Sequence, residues 1–408
     1  MRRLIVLLLI TVLAATLVPS VAAQTNTPLA YTNVGGQLVI TRPAADFRWI
    51  VTNPGEAVLP SFDLAWSQNG SRLLFAVRTG GGYSLRVADI NSQQVTEILM
   101  GSGGISNGGW TASGDVLVAT SEGVQQVTLN GQAVLRVPGG SAPSISADGA
   151  QFFARSGSGF VAAPTGSATN AAGLLGTNSN PQATGIGVWA DNASLAAYWG
   201  VGDDGTTNVI IANLTNLEAF PESSGTGVPV TPLTWVPGDA VLLYRDASGV
   251  QAQDASCLLG GGCDSAPDPV MVLPVNAQDV AVTTGGAVVY TLNGTRFAAD
   301  GACVAAGNCT ANAVTLGAVQ PGTSAYTQGD ATAFTGAGNG LVQLVDVGCA
   351  VSGGASCVGA SGAVGTVVGL SPDGGTALAV SGDQLLAVAG NVTALGSASV
   401  SLQMAWGG

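Results

Sequence analysis

The side chains that most often carry enzyme chemistry are sparse in this chain. Its 408 residues include no histidine, and all eleven basic residues are arginines. Without histidine there is no Ser-His-Asp or Cys-His arrangement and no histidine metal site. Without lysine there is neither a Schiff base nor a Ser-Lys pair. Carboxylates remain, 24 of them, and a pair can hydrolyse a glycoside if one keeps its proton. The glutamates are Glu56, Glu97, Glu122, Glu218 and Glu222; the rest are aspartates, mostly in turn sequences where Asp bonds its own backbone. The densest polar stretch is "GVGDDGTTN", Gly200 to Asn208. There Asp203, Asp204 and Asn208 could offer oxygens to calcium, but their spacing fits no ion-binding loop. A solvated loop is the simpler reading, and no cofactor is expected. With Trp199 at its start, the candidate exposed aromatic, this loop is the candidate binding element.

Six cysteines fall as three close pairs: Cys257 with Cys263, Cys303 with Cys309, and Cys349 with Cys357. Cys257 to Cys303 and Cys303 to Cys349 each span 46 residues, so each pair occupies one place in a repeat. Zinc favours four converging Cys or His ligands, whereas each repeat holds two sulfurs. Three local disulfides are expected, each pinning a hairpin between the third and fourth strands.

The elements that position these residues come from the repeat itself. An apolar strand ends in a large residue, a tight turn follows, then an apolar strand, a loop and two more strands. The landmark ending the first strand falls at Trp66, Trp110, Ile145, Trp189, Trp235, Val282, Tyr326, Leu370 and Trp406, at gaps of 44, 35, 44, 46, 47, 44, 44 and 36. The turns read "SQNGS", "TASGD", "SADGA", "ADNAS", "VPGDA", "TQGDA" and "SPDGG", rich in residues that supply turn angles at low cost. Strands such as "RLLFAV", "DVLVAT" and "AVLLYR" follow, apolar and without proline. Helical periodicity is not evident after the N-terminal segment. Because the large aromatics recur at one repeat position, they are expected to pack between units rather than to form a sugar-stacking row.

Units of four strands and this length suit propeller blades. "AWSQNGSRLLFAV" and "LSPDGGTALAV" resemble the WD40-like repeats of TolB-type β-propellers, whose blades open on an aromatic, Ser-Pro-Asp-Gly and an apolar strand. The resemblance implies an all-β, single β-propeller of four-stranded blades and says little of function. The count is eight to nine blades. "LAYTNVGGQLVITRPAADFRWIV", Leu29 to Val51, reads as later strands without a first, while "SLQMAWGG" reads as a first strand without the rest. Pairing the two closes the ring at nine; at eight, Leu29 to Val51 packs outside it. "SPDGGTA" also approximates an Asp-box turn, with Ala377 where that turn needs Ser or Thr.

Residues 1–23 read as an export signal: Arg2 and Arg3, an apolar run from Leu4 to Val18, then Val21-Ala22-Ala23 before Gln24. Residues 24–408 form the propeller domain, and a secreted, periplasmic or cell-surface location follows. Removing Arg2 and Arg3 leaves nine arginines against 24 acids, a net of −15. Nucleic acid and anionic membranes need clustered positive charge, so neither is expected as a partner, nor is membrane insertion after cleavage. Asn69, Asn192, Asn213, Asn293, Asn308 and Asn391 head Asn-x-Ser/Thr triplets that matter only in a host that glycosylates them. The leading expectation is a non-catalytic module that binds a protein or glycan partner or acts as a scaffold. The alternatives are a carboxylate-dependent glycan-active enzyme, hydrolase or lyase, and a structural surface-coat component.

Overall fold

The computed structural model describes residues 26–407 apart from 158, 167–171, 174–181, 184–186, 193, 202–205, 217, 227–230, 261–266, 355–356, 360–362 and 400–401. The signal at 1–23 and the loop residues Asp203 and Asp204 therefore lie outside the described residues. The described strands form nine antiparallel sheets, and each becomes one blade of a propeller. Blade 1 is built from both ends of the chain: Met404–Trp406, Leu29–Thr32, Leu38–Arg42 and Phe47–Ile50, from the axis outwards. Leu29 pairs with Trp406 and Tyr31 with Met404, so the ring closes as expected and at the higher count. Leu29 to Ile50 lies within the ring, which abolishes two exposed sheet edges.

Every landmark of the repeat falls on an innermost strand. Blades 2 to 5 begin with Ala65–Trp66, Ile105–Trp110, Ser141–Ile145 and Val188–Trp189; blades 6 to 9 begin with Thr231–Trp235, Gln278–Val282, Tyr326–Gln328 and Thr366–Leu370. Blade 5 carries one extra short strand, Gln182–Ala183. The turn after the landmark needs one left-handed residue, and glycine supplies it at no steric cost, as at Gly149 and Gly374, with φ of 69° and 71°. In those two turns the residue after the landmark is a buried serine. Ser146 Oγ donates to Asp148 at 2.6 Å and accepts from the Gln151 N–H at 3.0 Å. Ser371 repeats the pattern with Asp373 at 2.6 Å and Thr376 N–H at 2.8 Å.

Second strands are the most deeply buried. Leu73 to Val77, Leu242, Leu243, Val288 and Val289 are inaccessible, because both faces of a central strand meet neighbouring blades. The apolar core is accordingly a series of clusters. One joins Leu74 and Leu85 of blade 2 to Trp110 and Val116 of blade 3; another joins Leu243 and Val250 of blade 6 to Val288 and Tyr290 of blade 7. At about 25 cal/mol per Å² of apolar surface removed from water, these clusters are the main force holding the ring.

The fold is all-β as expected, with three short helices among the described residues that the repeat did not announce: α1 (Ser256–Leu259), α2 (Ala302–Ala306) and α3 (Val347–Val351). Each lies between the third and fourth strands of its blade, where the cysteine pairs fall. At four or five residues a helix is too short to show a periodic pattern. Cys303 is bridged to Cys309 and Cys349 to Cys357. Cys257 is disulfide-bonded, and Cys263 lies outside the described residues. The bridged segments do more than pin their own hairpins, because each packs on the preceding blade. Leu258 joins Leu195 and Ile211 of blade 5, Val304 and Cys309 join Val272 and Leu273 of blade 6, and Val347 joins Val289 and Ala298 of blade 7.

Candidate binding site at the channel mouth

The innermost strands surround the axis, and their tryptophans form a ladder between blades. Trp66 Nε1 donates to Ala405 O at 3.0 Å, Trp110 Nε1 to Ala65 O at 2.9 Å, and Trp235 Nε1 to Val188 O at 3.1 Å. Trp189 Nε1 donates to Ser144 Oγ at 2.9 Å. Each acceptor lies one residue before the landmark of the preceding blade. The expected role of these rings, packing between repeats, is their observed one, with a hydrogen bond added.

Because strands alternate in direction, the turns after the inner strands and the cysteine segments emerge on one face of the ring. The second-to-third turns emerge on the other. On the first face two cavities open beside the axis. One, of about 350 Å³, is lined by Asp63, Trp66, Gln68, Trp110, Ser144 and Ser146 among others. The other, of about 320 Å³, is lined by Trp189, Asp191, Trp235, Thr284, Thr327 and Gln328 among others. Each combines two indoles, a carboxylate, a primary amide and hydroxyls. Both sizes lie at the lower end of the range for small-ligand sites, about 300–1,000 Å³.

The carboxylates at the turns are of two kinds. Asp148 accepts from Ser146 and from the Ala150 N–H at 3.0 Å. Hydrogen bonding, from Ser146 first, holds its pKa below the ordinary carboxylate value. Asp330 accepts from the Gly285 N–H of blade 7 at 2.6 Å. Asp63 and Asp191 are exposed, and among the described residues neither side chain has a hydrogen-bond or ion-pair partner. The sequence carries the reason for Asp191. In "ADNAS" Asp191 stands two residues after the landmark, at the place of Gln68, Ala147 and Gln328, which line the cavities, while Asn192 takes the turn place of Asp148 and Asp373 and accepts from the Ser194 N–H. That signal was available in the repeat alignment and points to a turn aspartate free for other work.

The buried cation Arg296 belongs to the frame. It lies in the third strand of blade 7, Thr295–Ala299, and is completely buried. Its guanidinium donates to Asp279 O at 2.7 Å, Thr327 Oγ1 at 2.6 Å and Thr332 Oγ1 at 3.2 Å, joining blades 7 and 8. Burial pushes its pKa down to about 10, and the Asp279 charge opposes the shift.

Of the candidate loop, Trp199 and Asn208 are placed. Both lie in strands, Leu195–Val201 and Thr206–Asn213, rather than in the connection. Trp199 is half-buried and Asn208 is buried. They sit towards the face opposite the two cavities. Among the described residues no group of three or more His, Cys, Asp or Glu is placed to hold a metal.

Nine four-stranded blades closed into a ring by strands from the two chain ends define a β-propeller. No family model matches the sequence, and no curated protein matches it. Solved propellers do. The chain is similar to a structure titled as the eukaryotic initiation factor, with TM-score 0.61 and 13% identity over 94% of this chain and 98% of that one. It is also similar to the Dos1 propeller, with TM-score 0.51 and 11% identity over 84% and 95%. TolB from Acinetobacter baumannii aligns at TM-score 0.29 and 14% identity over 53% and 68%, too loosely to add to the argument. At such identities the likeness concerns the fold alone.

Proposed function

We propose that this protein is an exported, non-catalytic propeller that binds a protein or glycan partner at the cell envelope or outside the cell, using the channel mouth on its cysteine-bearing face. One observation carries the reading: two similar cavities flank the axis, each setting an unengaged carboxylate beside paired indoles. Exposed carboxylates flanking rigid inner strands suit recognition. The disulfides fit an oxidising compartment, and among the described residues no helix is long and apolar enough to cross a membrane. The test uses the intact protein immobilised against envelope and secreted fractions of its own host. A stable partner that the Asp63→Asn/Asp191→Asn double variant fails to retain supports the reading. Turnover of any member of a glycan panel, abolished by the same double variant, would replace it with a carboxylate-dependent enzyme.

A further inference from the structure

The two faces of the ring differ in charge. Six of the turns after the inner strands carry an aspartate: Asp115, Asp148, Asp191, Asp239, Asp330 and Asp373. Four third strands leave through the same face at Asp89, Asp254, Asp300 and Asp346. Among the described residues, Arg42 and Arg72 are the arginines at strand ends on this face. Arg42 lies over the Phe47 ring, 5.4 Å from its centroid, and Arg72 is paired with Asp89 at 3.4 Å. Arg78, Arg155 and Arg245 end second strands and so emerge on the opposite face, where they offset Glu122, Asp246 and Asp383 of the second-to-third turns. A field of one sign around a recessed mouth concentrates ligands of the other sign. This acidity does not itself make a site; the cavities do, and the field selects what enters them.

Resting on the reading above, we propose that each cavity seats one cationic side chain, ammonium or guanidinium, of an extended basic segment of a partner polypeptide. Neither lining contains an arginine, so anionic ligands meet a carboxylate with nothing to offset it. Indole beside carboxylate is the pairing that attracts a cation, through the ring quadrupole and the full charge together. The cavities lie on separate arcs of the mouth, blades 2 to 4 and blades 5 to 8. A small amine fills one of them. A polypeptide carrying two separated basic side chains fills both and gains the effective concentration of a linked ligand.

The experiment titrates the intact protein with a short oligolysine peptide, its fully acetylated counterpart and a neutral linear oligosaccharide, reading tryptophan fluorescence and calorimetry. Oligolysine is expected to bind and to weaken as ionic strength rises from about 0.01 M to about 0.15 M. Asp191→Asn should weaken binding about threefold and the double variant with Asp63→Asn about tenfold. Asp268→Asn removes an exposed charge of the same face away from both cavities and should leave affinity within about 1.5-fold. Equal losses for Asp191→Asn and Asp268→Asn would reduce the effect to unspecific attraction and overturn the proposal. So would binding of the acetylated peptide or the oligosaccharide at equal affinity. A host partner retained through the mouth, yet insensitive to both salt and Asp191→Asn, would overturn the cation inference alone and leave the binding-module reading standing.

Discussion

Blades 2, 3, 5 and 6 are fastened to their predecessors at the axis, through indole hydrogen bonds to the preceding inner strand. Blades 6, 7 and 8 are fastened nearer the rim, where a helix beside a cysteine pair packs on the blade before. The tryptophans give way to Val282, Tyr326 and Leu370 as the disulfides take over; only the seam between blades 5 and 6 has both. An indole contributes buried area and one bond across the seam. A disulfide closes a short loop within its own blade and acts across the seam only by stiffening the surface it presents. A ring of nearly equivalent blades needs each seam filled, but not by the same chemistry. The three remaining seams support this. Arg136 of blade 3 donates to Pro164 O and Thr165 O of blade 4 at 2.9 and 3.1 Å, Thr335 of blade 8 accepts from the Val367 N–H of blade 9 at 3.0 Å, and the Tyr31 hydroxyl of blade 1 donates to Leu395 O of blade 9 at 2.8 Å.

The largest effect is expected where neither device is covalent across the closure. Truncation after Ser399 removes the inner strand of blade 1, the acceptor of Trp66, and Gln403, whose amide reaches Leu59 O and Phe62 O at 3.2 Å. We expect a loss above about 5 kcal/mol, in the exceptional class, seen as failure to fold or a collapsed denaturation midpoint. A truncated chain that melts like the intact one would mean that the ring does not depend on its closing strand. Next, Trp110→Ala should cost about 3–5 kcal/mol, because it empties a buried seam and leaves Ala65 O without its donor. Val282→Ala, at the same repeat position but half-buried, should cost less than about 1.6 kcal/mol, two methylene equivalents. Equal losses would erase the distinction between the two arcs. Third, the Cys303→Ser/Cys309→Ser double variant should lose about 2.4 kcal/mol by chain entropy, measurable by denaturant unfolding. Because α2 then loosens against blade 6, protease cleavage and hydrogen exchange should rise near Val272 and leave the indole-bonded seams unchanged.

Much of this frame is legible in the sequence, for a physical reason. The landmark and turn recur, and recurrence converts weak local signals into a register; all nine landmarks sit on inner strands because that register is the fold. Features that occur once are not legible in the same way. Arg296 stands beside the third-strand bulge of blade 7, at a place filled by Val124, Val250 and Leu385 in blades 3, 6 and 9. Nothing in its own blade's sequence announces that Thr291 of that blade and Thr327 and Thr332 of the next receive it. The helices are too short for a period, and their role across a seam depends on a neighbour some 45 residues away. The two cavities are an intermediate case. That Asp191 is free of the turn follows from its place in the repeat, two residues after Trp189, whereas Asp63 and Asp191 reach the same mouth only through the ring.

The smallest expected effect asks whether the arcs differ anywhere besides their seams. Ser146 belongs to the indole-rich arc and Ser371 to the other, yet both make the same pair of turn hydrogen bonds. If the seams alone distinguish the arcs, Ser146→Ala and Ser371→Ala should cost the same, about 1 kcal/mol each. A Ser371→Ala loss several times larger would mean that the turns also divide the ring. Asp148 adds a pH test to the first turn. Its folded pKa lies below the unfolded value, so its stabilisation is present above the unfolded pKa, about 4, and is lost as pH falls through the folded one. Ser146→Ala should therefore move the Asp148 titration upward, read by carboxyl NMR, and flatten the decline of stability below about pH 4. Asp191→Asn removes a carboxylate with no turn bond to lose and should leave stability at neutral pH as it was, within about 0.5 kcal/mol. The comparison then separates an aspartate committed to folding from one left available for a partner.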